Sequence, residues 1–404
     1  MKKIIAILVL FILQSQLTNA QMTRWRATID VENGKLPFGL EIQRKTKNTF
    51  KVFILNASER FQTDDAKLAG DSLTIPISLF DAELVAKMTD KTLTGVYRKN
   101  KGRKSFFSVP FNATLGYLFR FRTNKMAILG NVQGKWATNF TNPTTQKVSF
   151  AVGTFQQKGS FVTGSFLTTT GDYRYMDGNM VGDSLFLSTF DGSHAFLLRA
   201  KVDGDKITGK FQDGVFGFKY FEAKRDAKAA LPDLKKITYL KDGFDKLNFT
   251  FPNEKGDNIS LSDDAFKGKV VVIQILGSWC PNCMDESNFL APYYKKNKSK
   301  GLEIIGLAYE KTLDKEFFKT KMNLLRTRFG IEYPLLQAGV NSSDSASESL
   351  PMLNKIIGFP TTIIIDKQGK IRETHAGFSG PGTGKYYTEW VTEFETLMNK
   401  LLSE

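Results

Sequence analysis

The chain has 404 residues, of which 41% are hydrophobic and 24% charged, with a formal net charge of +15 and a mean hydropathy of -0.24. These values exclude a disordered or collagen-like polymer and leave room for two or three domains of about 100 to 200 residues each. Residues 21–235 hold 32 basic against 20 acidic side chains, a surplus of 12, whereas residues 236–404 are balanced at 22 against 21.

Met1 to Ala20 opens with Lys2-Lys3, runs on as an apolar stretch from Ile4 to Leu13, and ends in Thr18-Asn19-Ala20. A basic start, an apolar centre and a small residue before the cut are the marks of a secretory signal peptide, with a mature start at Gln21. An apolar core of about 10 residues is too short to favour a spanning helix. Export to the periplasm is therefore expected, with an uncleaved membrane anchor as the alternative. No Cys lies near the cut, which argues against a lipoprotein.

Residues 21–223 read as an all-β domain. Thr49 to Leu55, Lys147 to Val152 and Ala195 to Val202 are rich in β-branched and aromatic residues and are separated by Gly, Asn and Asp. Val202-Asp203-Gly204-Asp205-Lys206-Ile207 reads as a hairpin, because Asp-Gly accepts the positive φ of a tight turn. The region also repeats itself, in units of about 22–130 and 131–223. Trp25 parallels Trp136, Gly70-Asp71-Ser72-Leu73 parallels Gly182-Asp183-Ser184-Leu185, Phe80-Asp81 parallels Phe190-Asp191, and Leu93-Thr94-Gly95 parallels Ile207-Thr208-Gly209. Two units of some five strands suggest one closed barrel of about ten strands or a two-sheet sandwich. The 34 Phe of the chain invite a barrel cavity for a small ligand, although Phe in strands is more often core. Tyr173-Arg174-Tyr175 occurs only in the second unit and reads as a packed hairpin tip, with an exposed recognition loop as the alternative. The basic charge is spread among strands without a binding motif, so no nucleic-acid partner is expected. An anionic ligand, an envelope surface or a merely solvated face suits it better.

Residues 224–243 form a linker that leaves the strand pattern and contains Pro232. From 244 to 404 strand and helix alternate. Val270 to Leu276, Leu302 to Leu307 and Thr361 to Ile365 are continuous apolar runs of the buried parallel type. Helices are expected at Pro281 to Lys295, Asp314 to Phe329 and Met352 to Ile356, giving an α/β fold. Gln337 to Leu350, with its run of Ser, is expected to be a surface loop.

The chain has only two cysteines, in Trp279-Cys280-Pro281-Asn282-Cys283, where a buried strand meets a helix. A Cys at a helix N-terminus is favoured as thiolate by unpaired amides and the dipole, and the second Cys lies one turn on. Such a pair can attack a disulfide and resolve the mixed product. A structural disulfide rarely closes so small a ring. A zinc site would need two further ligands, for which there are only His194 and His375, in different domains. Neither His is given a role; His375 reads as a surface residue of the last strand.

Residues 244–402 resemble the thioredoxin superfamily, and within it TlpA-like and ResA-like envelope thiol-disulfide oxidoreductases. The likeness rests on Lys267 to Val272 leading into Cys280-Pro281-Asn282-Cys283, on Glu286, and on Gly358-Phe359-Pro360-Thr361-Thr362 followed by Asp366 to Lys370. It implies a catalytic dithiol at Cys280 and Cys283 with Glu286 moving protons for Cys283. It further implies a cis peptide at Pro360, with Trp279, Phe359 and Pro360 as the docking surface. Gln274 stands where thioredoxin has a buried Asp, so that acceptor is not carried over. Asn288 replaces a Pro that often follows the Glu, and Gly277-Ser278 replaces a more usual Ala-Thr. The β-rich extension lies outside the likeness.

The resemblance points to a protein-disulfide reductase. Envelope proteins would be its substrates and a membrane thiol donor its reductant, with no cofactor and no metal required. A small ligand or a client could sit on the basic β domain. Two alternatives stand beside this. A peroxiredoxin-like peroxidase would carry Thr or Ser three residues before the Cys, where Gly277 stands. The other is a β-domain binding protein with an auxiliary redox domain.

Overall fold

The computed structural model describes residues 22–102, 105–116, 119–123 and 126–404. The expected signal peptide, 1–20, lies outside the described residues. The first nine strands are β1 (Met22–Val31), β2 (Gly34–Arg44), β3 (Thr49–Asn56), β4 (Glu59–Gln62), β5 (Ala66–Ala69), β6 (Ser72–Ile77), β7 (Ala82–Met88), β8 (Thr92–Gly102) and β9 (Ser105–Leu115). They form one sheet in the order β2-β1-β9-β8-β7-β6-β5-β3-β4. A further pairing of β2 with β3, from Gly39 opposite Leu55 to Arg44 opposite Phe50, closes eight of them into a ring with β4 attached outside it.

The next nine are β10 (Gly134–Thr141), β11 (Val148–Lys158), β12 (Phe161–Thr168), β13 (Gly171–Asp172), β14 (Met176–Val181), β15 (Ser184–Phe190), β16 (Ala195–Asp203), β17 (Lys206–Asp213) and β18 (Phe218–Arg225). Their order, β11-β10-β18-β17-β16-β15-β14-β12-β13 with β11 closing on β12, repeats the first sheet strand for strand. The duplication read from the sequence is therefore two closed barrels side by side, each of eight strands. Among the described residues a shared ring of about ten or a sandwich does not form. Each copy has more strands than the sequence pattern counted, because pieces as short as Glu59–Gln62 and Ala66–Ala69 carry no visible alternation. Closure removes the exposed edges that either sheet would otherwise present.

Alternation drives each strand: along Ser72–Ile77 every second residue is buried. The repeated Thr-Gly has a steric cause. A Cβ on Gly95 would lie 2.0 Å from the Val85 carbonyl oxygen, and one on Gly209 would lie 2.2 Å from that of Arg199. Much of the Phe-rich composition is core. In the second barrel Phe140 and Phe211 pack at 4.9 Å between ring centroids, Phe166 and Phe221 at 5.7 Å, and Tyr173 and Phe196 at 4.9 Å. Each such buried ring contributes about 1.5 to 3 kcal/mol. The Val202 to Ile207 hairpin pairs as expected, with Gly204 at φ +55.

The C-terminal part begins with a small hairpin, β19 (Thr250–Pro252) and β20 (Asn258–Ser260). Five more strands, β21 (Val270–Leu276), β22 (Leu302–Glu310), β23 (Leu335–Val340), β24 (Thr361–Ile365) and β25 (Ile371–Ala376), make a sheet ordered β23-β22-β21-β24-β25. One face, with Val270, Val272 and Leu276, is covered by α1 (Pro281–Asn297), α2 (Lys315–Phe329) and α4 (Lys385–Ser403) through Leu290, Phe318, Met322, Phe394 and Met398. The other face, with Val271, Ile273 and Ile275, packs on Phe249, Phe266, Leu350 and Ile356.

Three local expectations are corrected here. β24 runs antiparallel to β21, not parallel, because a continuous apolar run reports burial on both faces and not direction. Gln337 to Leu350 is no loop: β23 pairs parallel with β22, and a short helix, α3 (Ser343–Ser349), follows. Its Ser run hides a cap, the Ser342 hydroxyl accepting from the Ser345 N–H at 3.0 Å. Met352 to Ile356 is not helical. The apolar residues there are instead anchors, Leu353 and Ile356, for the sheet's second face.

Candidate active site

β21 carries the chain into Gly277-Ser278-Trp279, and this turn is held from the neighbouring strand. The buried Glu310, at the end of β22, accepts from the Ser278 N–H and from its hydroxyl, both at 2.7 Å. Burial pushes the Glu310 carboxyl up, partly offset by those bonds. The Trp279 indole donates to the Tyr309 carbonyl at 2.8 Å, and a Cβ on residue 277 would lie 2.3 Å from the indole nitrogen, which is why Gly stands there. Cys280 is then the N-cap of α1, with Pro281 in its first turn. Its Sγ accepts from the Cys283 N–H at 3.2 Å. Cys280 and Cys283 are joined as a disulfide, with Cα atoms 5.3 Å apart.

The loop before β24 lies against the sulfur. Phe359-Pro360 is a cis peptide, and the Phe359 carbonyl oxygen is 3.6 Å from Cys280 Sγ. The Phe359 ring meets Trp279 edge-on at 5.4 Å, and the Pro360 carbonyl accepts from the Gly377 N–H at 2.8 Å.

Behind the disulfide is a closed polar network. Glu286, one turn beyond Cys283 on α1, is 1% exposed. It accepts from the Thr362 hydroxyl and, at 2.9 Å, from the Gln274 amide. Burial pushes its carboxyl up to about 7, partly offset by those two bonds. Gln274 also reaches the Cys283 carbonyl at 3.4 Å and Ser287 Oγ at 3.1 Å. A buried carboxyl that gains and loses its proton near neutral pH can serve a thiol chemistry next to it.

The AhpC/TSA family model matches residues 245–374. These residues are thus similar to that family, and the α/β domain they form is thioredoxin-like. Among curated relatives, the thiol-disulfide oxidoreductase ResA of Bacillus subtilis (strain 168) is 28% identical over 138 residues, 34% of this chain and 69% of the relative. ResA of Bacillus thuringiensis subsp. konkukian (strain 97-27) is 32% identical over 126 residues, 31% of this chain and 63% of the relative. The chain thus spans about two thirds of the length of these relatives. Among solved structures, the thioredoxin domain of a thiol-disulfide oxidoreductase from Bacteroides vulgatus is 25% identical, covers 39% of this chain and 99% of its own, and has a TM-score of 0.27. A thiol-disulfide oxidoreductase from Bacteroides fragilis NCTC 9343 is 21% identical, with 36% and 99% coverage and a TM-score of 0.27.

The thioredoxin-fold domain brings Trp279, Cys280, Cys283, Glu286, Phe359 and Pro360 to one corner of its sheet. His375 lies on β25, half-buried, with its Nδ1 3.0 Å from the Gly377 carbonyl oxygen, and is not the surface residue expected. His194 lies in the second barrel, 3.0 Å from Asp191. Sequence reasoning missed Glu310, although a carboxylate closing the apolar run Leu302 to Tyr309 was a visible anomaly. It also missed how the second barrel meets this corner. Arg174 is buried, 5% exposed, and is no free loop tip. It pairs with Asp285 of α1 and with Glu59 of the first barrel, and lies 3.4 Å from Asp191. Burial works against its charge, but those three carboxylates more than offset it and hold the guanidinium ionised. Nothing in the local sequence marks that convergence.

Proposed function

We propose that this protein is an exported thiol-disulfide oxidoreductase that reduces disulfides of envelope proteins. The observation that carries the reading is Cys280 at the N-cap of α1, its Sγ accepting the Cys283 N–H. A thiolate there is favoured by the unpaired amides of the first turn. In the reduced protein, the Cys280 thiolate attacks one sulfur of a substrate disulfide, forming a mixed disulfide and releasing the other sulfur as thiolate. Cys283, giving its proton toward Glu286, attacks Cys280 Sγ. The enzyme disulfide forms, the second substrate sulfur leaves as thiolate and takes its proton from solvent, and two electrons have passed to substrate. A dithiol donor at the membrane then restores the pair. Trp279, Phe359 and the cis Pro360 form the surface on which an extended substrate segment lies. Lys2-Lys3, the Ile4 to Leu13 run and Ala20 support export. A peroxidase is disfavoured by Gly277, which offers no hydroxyl three residues before Cys280.

The test is to reduce the Cys283→Ser protein and mix it with an unfolded protein that carries a disulfide. A mixed disulfide through Cys280 should accumulate, whereas Cys280→Ser should form none. Failure of Cys283→Ser to form any adduct refutes the reading.

A further inference from the structure

Cys280 is 5% exposed, and the second barrel is one of the reasons. The segment Thr169 to Tyr175, around β13, lies on the corner that holds the disulfide, and the approach is close enough that three glycines there leave no room for a Cβ. A Cβ on Gly358, next to Phe359, would fall 2.6 Å from Thr170 Cγ2. One on Gly377 would fall 2.7 Å from the Gly171 nitrogen, and one on Gly382 would fall 2.8 Å from the Arg174 carbonyl carbon. Side chains fasten the same contact. Asn282, between the two cysteines, donates to the Asp172 carbonyl at 3.1 Å. The Asp172 carboxylate accepts from the Gly380 N–H at 2.7 Å, and Arg174 donates to the Pro281 carbonyl at 3.2 Å. On the far side the Ser193 hydroxyl meets the Trp279 carbonyl at 3.4 Å. Both flanks of the sulfur, the cis-Pro loop and the Trp279 turn, are thus lined by the barrel.

The geometry points to Thr169–Tyr175 as the wall that selects substrate at Cys280, fastened by Arg174. With the wall in place the sulfur accepts a disulfide on a small molecule or a thin extended segment, and rejects one lying on the surface of a folded protein. This rests on the oxidoreductase reading and narrows its substrate class. The selection acts by sterics, since an incoming body must fit between Thr170 and Trp279, and any larger one must first separate two surfaces built on bare glycine backbone.

Access is measured apart from redox activity. In the full chain carrying Cys283→Ser, reduced so that Cys280 is the single thiol, alkylation by N-ethylmaleimide is compared with alkylation by a maleimide bearing a polyethylene-glycol chain. The wall predicts a small-to-large rate ratio that falls at least about tenfold in Gly382→Val, because the large reagent reacts only with the opened fraction. Gly382 has a backbone conformation open to any residue, so the valine acts as a wedge and not as a strained turn. Arg174→Gln, which loosens the fastening, gives the second variant should the first not fold. The large reagent should gain in both, and N-ethylmaleimide should change far less. A ratio that is the same in the parent and in both variants overturns the proposal. Because alkylation needs no disulfide substrate, it stays informative even if Cys283→Ser captures no protein, so the two failures are distinguishable.

Discussion

Replacing Glu286 by Gln isolates one proton. Burial raises the folded-state carboxyl from its ordinary 4.5 to about 7, against the opposing bonds from Thr362 and Gln274. The folded protein therefore holds this proton more tightly than the unfolded chain does. Between about pH 4.5 and 7 the native state is the more protonated one, so its stability falls as pH rises through that window and is level on either side. At 1.36 kcal/mol per pKa unit, the difference amounts to about 3 kcal/mol. Gln keeps the volume and does not ionise. The unfolding free energy of E286Q minus that of the parent should therefore increase by about 3 kcal/mol in favour of the variant from pH 4.5 to pH 8. Urea unfolding of the oxidised full chain measures both proteins, and subtraction at each pH cancels every other titrating group. A difference that stays flat across the window refutes a buried, protonated Glu286.

Other consequences follow from burial elsewhere. Glu310→Ala leaves the Ser278 N–H and hydroxyl without their acceptor, and should cost about 2 to 3 kcal/mol in urea unfolding. It should also change the rate at which Cys280 is alkylated, since the turn it holds leads into the N-cap. Phe211→Ala removes a ring packed on Phe140, Tyr173 and Phe196. It should destabilise the second barrel by about 3 to 5 kcal/mol, with a loss of near-ultraviolet circular dichroism, while leaving the potential of the Cys280 and Cys283 pair unchanged. Arg174→Gln strands Glu59, Asp191 and Asp285 without their common cation. A loss of about 3 to 5 kcal/mol is expected, recovered in part at low pH as the carboxylates protonate.

Much of this was legible wherever one residue's neighbours along the chain determine its surroundings. The strands at Thr49, Ala195 and Val270, the hairpin at Gly204 and the helix from Pro281 all follow from local pattern and turn chemistry. The duplication was visible because the Thr-Gly at Gly95 and Gly209 answers the same steric need twice. Barrel closure was not visible, since β2 meeting β3 and β11 meeting β12 are pairings that two sandwiched sheets could equally have avoided. The direction of β24 and the helix within the Ser run failed for the reason that apolar runs and polar runs report burial, not topology. At the site, Cys280 and Cys283 could be singled out from motif spacing, and Glu286 and Pro360 from the resemblance to thiol-disulfide oxidoreductases. The Arg174 fastening could not, because Arg174 and Asp285 lie 111 residues apart in sequence; Glu310 stood out only as a carboxylate ending an apolar run, with its partner Ser278 lying 32 residues away.

The central claim is that this dithiol gives electrons to its substrates. Its equilibrium reduction potential tests that most directly, titrated in the full chain against dithiothreitol or glutathione buffers, with Cys283→Ser as the control that cannot close the ring. The account predicts a value near about -270 mV, in the range of dithiol reductants. A value near about -120 mV, in the range of a strong dithiol oxidant, would contradict it.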